Sequence, residues 1–365
     1  MAKLSIGIVG LPNVGKSTLF NAITKAGIQA ENFPFCTIEP NTGIVSIPDT
    51  RLDTLSKLSN TQKTIPATIE FVDIAGLVKG ASKGEGLGNQ FLTNIRETSA
   101  IAHMVRCFED PNIIHVEGTV NPLSDIETIN IELILSDLEQ VQRAIENQKK
   151  KSKTQDKDEL AKLELFQRIE AALSSEKPVR QMDLSEDDHR LLKGYNFISQ
   201  KKVIYVANVS EDDLASGNDL SKQVEQLAKE HGDAFTLISA SIEEELSNLD
   251  DDEASDFLSD LGVQESGLKR LAAVCFDLLG LQTYLTTGEK ETRAWTIPKG
   301  ASAPQAAGVI HTDFEKGFIR ANIVSYDDFV SCEGLKGAKE KGLMRQEGKE
   351  YIMQDGDVVE FLFNT

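Results

Sequence analysis

The residues best suited to do chemistry form an octapeptide near the N-terminus, Gly10-Leu-Pro-Asn-Val-Gly15-Lys16-Ser17. Its spacing matches a complete phosphate-binding loop (P-loop), in which glycines let successive backbone N–H groups point at phosphate oxygens. Lys16 is expected to reach the β- and γ-phosphates, and the Ser17 hydroxyl is expected to ligate Mg²⁺. The octapeptide therefore predicts a site for a nucleoside triphosphate.

Two further segments are expected to complete the phosphate end of this site. Asp73-Ile-Ala-Gly76 follows a predicted strand at 68–73, so the carboxylate can hold the Mg²⁺ shell through water and the Gly76 N–H can sense the γ-phosphate. Thr37 lies where a switch loop supplies a second hydroxyl to Mg²⁺, although an ordinary loop threonine is the alternative. The glycine-rich stretch 76–88 is expected to be a mobile switch.

The base is expected to lie near Asn208-Val-Ser-Glu211, which follows a predicted strand at 203–207. GTPases carry Asn-Lys-x-Asp at this place, and the short aspartate accepts two donors from guanine. Glu211 is one methylene longer, and Val209 supplies no lysine stem, so a bidentate guanine clamp is compromised. The Asn208 amide can still pair with adenine, so the motif favours ATP over GTP, with dual use as the alternative.

Hydrolysis is expected to be slow, because Leu77 follows the Asp73 motif where Ras-type switches carry a water-orienting glutamine. A leucine can neither orient water nor accept a proton. His115, in a loop after the predicted strand at 101–108, is a candidate for positioning water or transferring a proton. A loop histidine with no catalytic part is the alternative.

Strands and helices alternate in the first third of the chain, which predicts a P-loop α/β domain with a doubly wound, mostly parallel sheet. Apolar residues at helical spacing over 124–150 and 160–173 predict an α-helical hairpin inserted into that domain. Short strands after Gly280 predict a small C-terminal α+β domain. The expected limits are 1–280 for the nucleotide-binding domain, about 124–200 for its insertion and 281–365 for the last domain.

Charge and composition limit the partners of the 365-residue chain, whose net charge is −20. Residues 211–265 hold 17 acidic and two basic residues, so the acidity is local and fits solvated helix faces. Basic clusters at 149–153 and 336–349 could meet phosphate, although solvated charge runs are the commoner explanation. Four scattered cysteines without CxxC spacing suit a reducing compartment, and the apolar runs are too short for a membrane span. We therefore expect a cytoplasmic protein that binds no membrane and reads no DNA sequence.

The P-loop, the segment 73–88, Asn208-Val-Ser-Glu211 and Ser239-Ala-Ser-Ile-Glu243 together resemble the Obg-like ATPase family of YchF type, in the Obg group of translation-factor P-loop GTPases. The resemblance covers nearly the whole chain, and the tail from Ala306 to Arg320 looks like a TGS domain. The resemblance implies a slow ATPase that also accepts GTP in some members. It further implies binding to RNA and to the ribosome, where the large subunit is the expected partner, and a role in translation or stress responses.

The same resemblance assigns roles to further positions of this chain. Phosphate contacts fall on Asn13, Val14, Gly15, Lys16, Ser17 and Thr18, and base contacts fall on Asn208, Val209, Glu211, Ser239 and Ala240. Asn13 matches the asparagine that potassium-stimulated relatives use, so K⁺ joins Mg²⁺ as a candidate cofactor. Three functions remain open: an ATP-driven switch that binds the ribosome or RNA, a guanine-specific or dual-specificity GTPase, and a binding module stabilised by nucleotide with negligible turnover.

Overall fold

The structure, a computed structural model, describes residues 4–29, 41–74, 87–115, 118–152 and 156–364. Within these ranges the strands are β1 (Ser5–Val9), β2 (Thr42–Ser46), β3 (Thr64–Ile65), β4 (Thr68–Asp73), β5 (Ala100–Arg106), β6 (Lys202–Asn208), β7 (Ala234–Ile238), β8 (Leu281–Thr286), β9 (Thr292–Pro298), β10 (Phe318–Ser325), β11 (Arg345–Glu347) and β12 (Asp357–Phe363).

The helices of the described ranges alternate with the strands in the first two-thirds of the chain. They are α1 (Lys16–Gln29), α2 (Thr50–Leu58), α3 (Leu87–Glu97), α4 (Pro122–Lys151), α5 (Lys157–Ser174), α6 (Glu186–Leu191), α7 (Asp219–His231), α8 (Ala240–Leu246), α9 (Asp251–Asp260), α10 (Gly267–Leu278), α11 (Ala303–Ile310), α12 (Thr312–Lys316), α13 (Tyr326–Ser331) and α14 (Leu335–Glu340).

The first sheet has the strand order β2-β4-β1-β5-β6-β7. β1 pairs in parallel with both β4 and β5, and β5-β6 and β6-β7 are also parallel. The chain thus winds outward from β1 in both directions, which confirms the predicted doubly wound, mostly parallel sheet. Ligands of such sheets bind beyond the carboxyl ends of the strands, where the winding direction changes. The P-loop follows β1 at that edge.

The helical hairpin predicted between β5 and β6 is present as α4 and α5. Asn121 accepts the Ser124 N–H and Pro122 occupies the first turn, so α4 begins with two helix-start signals. The Gln148 amide near the end of α4 donates to the Glu159 carbonyl at the start of α5, at 2.9 Å, so the helices are antiparallel. Their shared core includes Val141, Phe166 and Ile169. Within the described ranges no helix combines the length and apolarity of a membrane span.

The chain divides into two compact units. Described residues within Met1–Gly27, Ile38–Gly43 and Glu70–Leu271 form the first unit, and those within Ile28–Thr37, Ile44–Ile69 and Ala272–Thr365 form the second. Residues 44–69 and 272–280 are expected from the sequence in the nucleotide-binding domain, whereas the structure groups them with the C-terminal residues. The domain limits themselves stay a prediction.

The second unit is built on a sheet with the order β11-β10-β12-β8-β9-β3. Its core includes Tyr284, Ile297, Phe318, Ile323 and Val359. β3 adds to this sheet by pairing in parallel with β9, although the two strands are more than 200 residues apart in sequence. No local sequence pattern predicts such a pairing, because a two-residue strand shows almost no hydrophobic periodicity.

An ion pair between segments distant in sequence stabilises the second unit. Arg51 is held by Asp49 in a bidentate contact of 2.8 and 2.9 Å, and its Nη1 donates to Asp355 at 2.8 Å. The other oxygen of Asp355 accepts the Thr283 backbone N–H at 2.9 Å. Burial alone raises the pKa of Asp355, but the bonds from Thr283 and Arg51 outweigh it and hold that pKa below its ordinary value.

We expect Asp355→Ala to lower the free energy of unfolding of the second unit by about 1 kcal/mol, because it removes an acceptor shared by an amide and a guanidinium, and the half-exposed carboxylate is screened by water. Urea unfolding followed by circular dichroism measures this change in the free energy of unfolding, and Glu350→Ala on an exposed turn is the control. The stabilisation is present above an unfolded pKa of about 3.9 and disappears as the pH falls below it. Equal midpoints for the two variants at pH 7 would contradict the assignment.

Candidate nucleotide-binding site

A cleft of about 960 Å³ lies in the first unit at the carboxyl edge of its sheet. Loops that follow four strands contribute its walls, as expected for a ligand site of a doubly wound sheet. The lining residues are Pro12, Asn13, Gly15, Lys16, Ser17, Thr18, Asp73, Phe108, Glu109, Asp110, Ile113, Asn208, Val209, Ser210, Glu211, Ala240 and Ser241. Most of the predicted site residues are thereby gathered in one cavity.

The P-loop has the backbone geometry that its glycines were expected to allow. Gly15 has φ +100°, and a Cβ there would lie 2.4 Å from the Asn208 amide nitrogen. Asn13 has φ +62°, a left-handed conformation that asparagine tolerates better than most residues. The Lys16 ammonium donates to the Gly10 and Leu11 carbonyls at 2.8 and 2.9 Å, inside the loop. The curled loop therefore depends on glycine at position 15.

The Asn208 side chain connects the P-loop to α8. Its Nδ2 donates to the Val14 carbonyl at 2.9 Å, and its Oδ1 accepts the Ala240 N–H at 3.0 Å. Asn208 is 4% exposed, so both bonds form in a nearly water-free setting that strengthens them. The sequence analysis assigned this amide to the base alone. Its two contacts use half of its hydrogen-bonding capacity for holding the cleft together.

Lys16 and Asp73 bring opposite charges to the phosphate end of the cleft. Desolvation lowers the pKa of Lys16 to about 8, although Asp73 acts in the opposite direction. Desolvation also raises the pKa of Asp73, against the attraction of Lys16. For each group, the desolvation that disfavours its charged form thus outweighs the attraction of the other group's charge. Additional opposite charges near these groups, such as phosphates near Lys16 or a cation near Asp73, would further favour the charged forms.

The other end of the cleft is formed by the loop after β6 and the start of α8. Val209 is 2% exposed, and its N–H donates to the Ile238 carbonyl, so its side chain is a fixed apolar part of the wall. Glu211 is exposed within a short 3₁₀ turn. Ala240 lines the cleft, whereas Ser239 is fully buried and does not, although its hydroxyl lies 3.2 Å from that of Ser241.

The segment Ser239 to Glu243 has a structural explanation. The buried carboxylate of Glu243 accepts the Gly267 N–H at 2.6 Å, at the first residue of α10. Desolvation raises the pKa of this carboxyl group, against the amides of Gly267 and Leu268. A Cβ on Gly267 would meet Ile238 at 2.7 Å, so the close approach requires glycine. α8, whose first residues line the cleft, is thus fixed to α10.

Residues after β5 form a wall of the cleft that the sequence analysis missed, namely Phe108, Glu109, Asp110 and Ile113. Ser210 and Ser241 were missed as well. The available signal was their position, since each lies in a segment that follows a strand at the carboxyl edge of the sheet. Side-chain type alone gave no indication, because Phe108 and Ile113 resemble ordinary loop or core residues.

His115 lies in the same loop but does not line the cleft. It is 7% exposed, and its Nε2 lies 3.0 Å from Asp125 Oδ2 near the start of α4. The neighbouring Ile114 carbonyl accepts the Asn13 side-chain amide at 3.1 Å. The structure therefore places His115 in a contact between the loop and the helical hairpin, beside the P-loop rather than facing the cavity. Its catalytic part stays a hypothesis.

The predicted site residues thus fall into three groups. Those on the cleft wall are Asn13, Gly15, Lys16, Ser17, Thr18, Asp73, Asn208, Val209, Glu211 and Ala240, whereas Val14, Ser239 and His115 lie off the wall. Thr37, Gly76 and Leu77 are outside the described residues. Val14 still contributes, because its carbonyl is the acceptor for Asn208.

Comparisons with known proteins agree with the fold and the motifs. A family model described as 50S ribosome-binding GTPase matches residues 5–136, and the model YchF-GTPase_C, described as a protein of unknown function (DUF933), matches 281–364. "Ribosome-binding ATPase YchF" of Escherichia coli O157:H7 is 57% identical over 98% of this chain and 99% of its own. Its namesake from Bacillus subtilis is 52% identical over 99% of this chain and all of its own.

A solved structure gives the same result for the fold. The structure of the Schizosaccharomyces pombe YchF GTPase superposes with a TM-score of 0.90 at 37% identity, covering 99% of this chain and 98% of that one. Identity of this size over whole chains, together with a P-loop cleft built from the expected motifs, leaves one assignment. The chain belongs to the YchF family, the Obg-like family that its motifs resemble.

Proposed function

We propose that this protein hydrolyses nucleoside triphosphates in the described cleft, with ATP preferred over GTP, and acts as a nucleotide-dependent switch on the ribosome. The observation that carries the proposal is the convergence of Lys16, Ser17 and Asp73 with Asn208 and Glu211 in one cavity. Relatives named ribosome-binding ATPases support the activity and the partner. We assign the protein to the cytoplasm, in line with a ribosomal partner.

Triphosphate binding is proposed at the P-loop end, through the backbone from Asn13 to Thr18 and the Lys16 ammonium. An ammonium has three donors, and two of them are bonded to loop carbonyls at 2.8 and 2.9 Å, which leaves one for a phosphate oxygen. α1 begins at Lys16, so its first N–H groups and its dipole favour an anion here.

Mg²⁺ fits the donor set of this end of the cleft. Ser17 is exposed to the cavity, and the half-buried Asp73 carboxylate has a pKa raised by desolvation, which a nearby divalent cation would reverse. Ser17 would ligate the ion, Asp73 would hold its shell through water, and Thr37 is proposed as the second hydroxyl. When bound, Mg²⁺ neutralises charge that develops on the phosphate oxygens.

Potassium is proposed as a second cation, with Asn13 as its ligand. The Asn13 Nδ2 donates to the Ile114 carbonyl, so the amide oxygen is the atom that remains to meet a cation. Carbonyl-type oxygens suit such a hard cation. Asn13 lines the cleft next to the proposed phosphate site, where the added positive charge would assist hydrolysis.

Adenine is proposed at the far end of the cleft. The buried Val209 offers an apolar surface where a guanine-specific site would have a lysine, and Glu211 reaches too far for a bidentate clamp on guanine. Asn208 retains one amide hydrogen and one lone pair for the base edge beyond its two structural bonds. Ser239 and Ala240 are proposed as backbone contacts of the base.

The reaction is proposed as in-line attack of water on the γ-phosphorus, which breaks the bond to the β-phosphate oxygen and releases the nucleoside diphosphate and phosphate. Lys16, the P-loop amides and Gly76 stabilise the developing charge. Leu77 cannot orient the water, so slow turnover is expected. If His115 takes this part through Nε2, that atom must first leave its contact with Asp125 at 3.0 Å.

Ribosome binding is proposed to involve RNA phosphates, with the large subunit as the expected partner. Lys336 and Lys339 on α14, Lys341 just after it and Arg345 at the start of β11 are all exposed. Lys149, Lys150, Lys151 and Lys157 are exposed near the turn of the helical hairpin. In a chain with a net charge of −20, such local basic surfaces are the parts that phosphates can approach.

Replacing the P-loop lysine tests whether the chain turns over nucleotide. We expect Lys16→Ala to reduce ATP hydrolysis by about 100-fold or more, because it removes a charge that stabilises the transferring phosphoryl group. Phosphate release is the measurement, and Lys25→Ala on an exposed turn of the same helix is the control. Turnover in the wild type that persists in Lys16→Ala would refute the site, and no turnover in either would favour a pure binding module.

Exchanging the base-side residues tests the preference for adenine. The double variant Val209→Lys with Glu211→Asp restores the guanine-type motif, so we expect its ratio of GTP to ATP affinity to rise by about tenfold or more. Competition between the two nucleotides at equilibrium measures the ratio. Glu225→Asp, an exposed change on α7, should leave it unaltered. An unchanged ratio in the double variant would eliminate the proposed base contacts.

Neutralising the C-terminal lysines tests the RNA contact. We expect Lys336→Gln, Lys339→Gln and Lys341→Gln together to weaken binding to ribosomes and to flatten its salt dependence by about one power of salt concentration per lost phosphate contact. Lys222 and Lys229, exposed in the acidic stretch 211–265, and Lys269, exposed just after it, provide a charge-matched triple control. Salt dependence that is equal in both triple variants would move the site elsewhere, with the hairpin lysines next to be tested.

A further inference from the structure

Arg106 is a buried cation beside the cleft whose role no motif explains. It is the last residue of β5 and is 1% exposed. Its Nε donates to the Phe108 carbonyl and its Nη1 to the Ile113 carbonyl, both at 3.0 Å, and its Nη2 donates to the Asp110 carbonyl at 3.4 Å. One side chain therefore contacts the backbone at both ends and the middle of the loop 108–113.

The loop that Arg106 holds is a wall of the nucleotide cleft. Phe108, Asp110 and Ile113 all line the cavity. The Asp110 side chain accepts the Asn112 N–H at 2.8 Å, which closes a turn, and the Asp110 carbonyl also accepts the Ile113 N–H. Since three of the contacts of this loop end on one guanidinium, Arg106 determines how its backbone curves.

The chemistry of the contact requires arginine. A guanidinium carries five N–H donors in a rigid plane, so it can serve several carbonyls at once, whereas an ammonium on a flexible stem cannot reproduce that fork. The guanidinium also lies 4.7 Å from the centre of the Phe108 ring, within the range of a cation–π contact. This second contact orients a ring on the cleft wall.

The same loop is fastened on its far side to the P-loop. The Asn13 side chain donates to the Ile114 carbonyl at 3.1 Å, one residue beyond the last contact of Arg106. The loop is thus held between β5 and the phosphate-binding segment. A wall fixed at both ends before ligand arrives spares the ligand the entropic cost of ordering it.

We propose that Arg106 is a positioning residue for the nucleotide: it holds the loop 108–113 in the shape that receives the nucleoside part of the triphosphate. The side chains of this wall are apolar (Phe108, Ile113) or acidic (Glu109, Asp110), which suits a nucleoside and disfavours the anionic phosphates. This rests on the proposed function, because the cleft must bind a nucleoside triphosphate for the loop to matter. Arg106 contacts the loop backbone and the Phe108 ring, so its effect on the nucleotide passes through the wall.

The proposal predicts a loss confined to the nucleoside part of the ligand. In Arg106→Lys and Arg106→Met, ATP affinity falls by about tenfold or more, as expected for lost charged hydrogen bonds. Affinity for inorganic tripolyphosphate, which needs only the P-loop, stays as in the wild type. KM for ATP rises while kcat changes by less than about twofold, the pattern of lost binding that is equal in the ground state and the transition state. Isothermal titration and steady-state kinetics measure both, and Arg143→Met, an exposed change on α4, is the control.

A second variant leaves the buried arginine in place and guards against variants that fail to fold. Pro111→Gly loosens the same loop at an exposed position, so ATP affinity should fall in the same direction with tripolyphosphate affinity unchanged. Wild-type ATP affinity in Pro111→Gly, or equal losses for ATP and tripolyphosphate in the Arg106 variants, would overturn the positioning role. A wild type that binds no ATP would instead refute the proposed function.

Discussion

The cleft depends on one buried amide. Asn208 accepts from the first turn of α8 and donates to the P-loop, so it joins the loop after β6, the loop after β1 and the start of a helix. Gly15 has to lack a side chain for this contact, because a Cβ there would lie 2.4 Å from the Asn208 nitrogen. Removing either partner would leave a buried polar group unpaired, which costs more than the bond itself contributes.

Around this amide the cleft is assembled from loops fixed by backbone contacts. Arg106 bonds carbonyls of one wall, Glu243 bonds an amide that holds α8, and Asn13 bonds the wall to the P-loop. Charged side chains acting on backbone groups make stronger hydrogen bonds than neutral ones. Among the ionisable side chains that line the cavity, Lys16 and Asp73 are held partly desolvated, so they suit a highly charged ligand.

The second unit is built from segments that are distant in sequence, which local sequence patterns do not reveal. Residues 44–69 precede Asp73 in the chain and were assigned by order to the nucleotide-binding domain, yet they pack with the C-terminal residues. β3 pairs with β9, and Arg51 pairs with Asp355. A short strand and a single arginine carry no periodic pattern, and contacts across more than 200 residues leave no local trace. The chain order of elements therefore does not reveal which sheet each one joins.

The sequence by itself determined the P-loop, the doubly wound sheet, the inserted hairpin and the motif that argues for adenine. These follow from local rules, since glycine spacing, apolar periodicity and side-chain length act within a few residues. Tertiary structure alone decided that Asn208 braces the cleft, that Phe108 and Ile113 form its wall with their carbonyls bonded to Arg106, and that His115 is buried against Asp125. Those assignments depend on which carbonyl or carboxylate lies within 3 Å of a side chain, a distance that only packing sets.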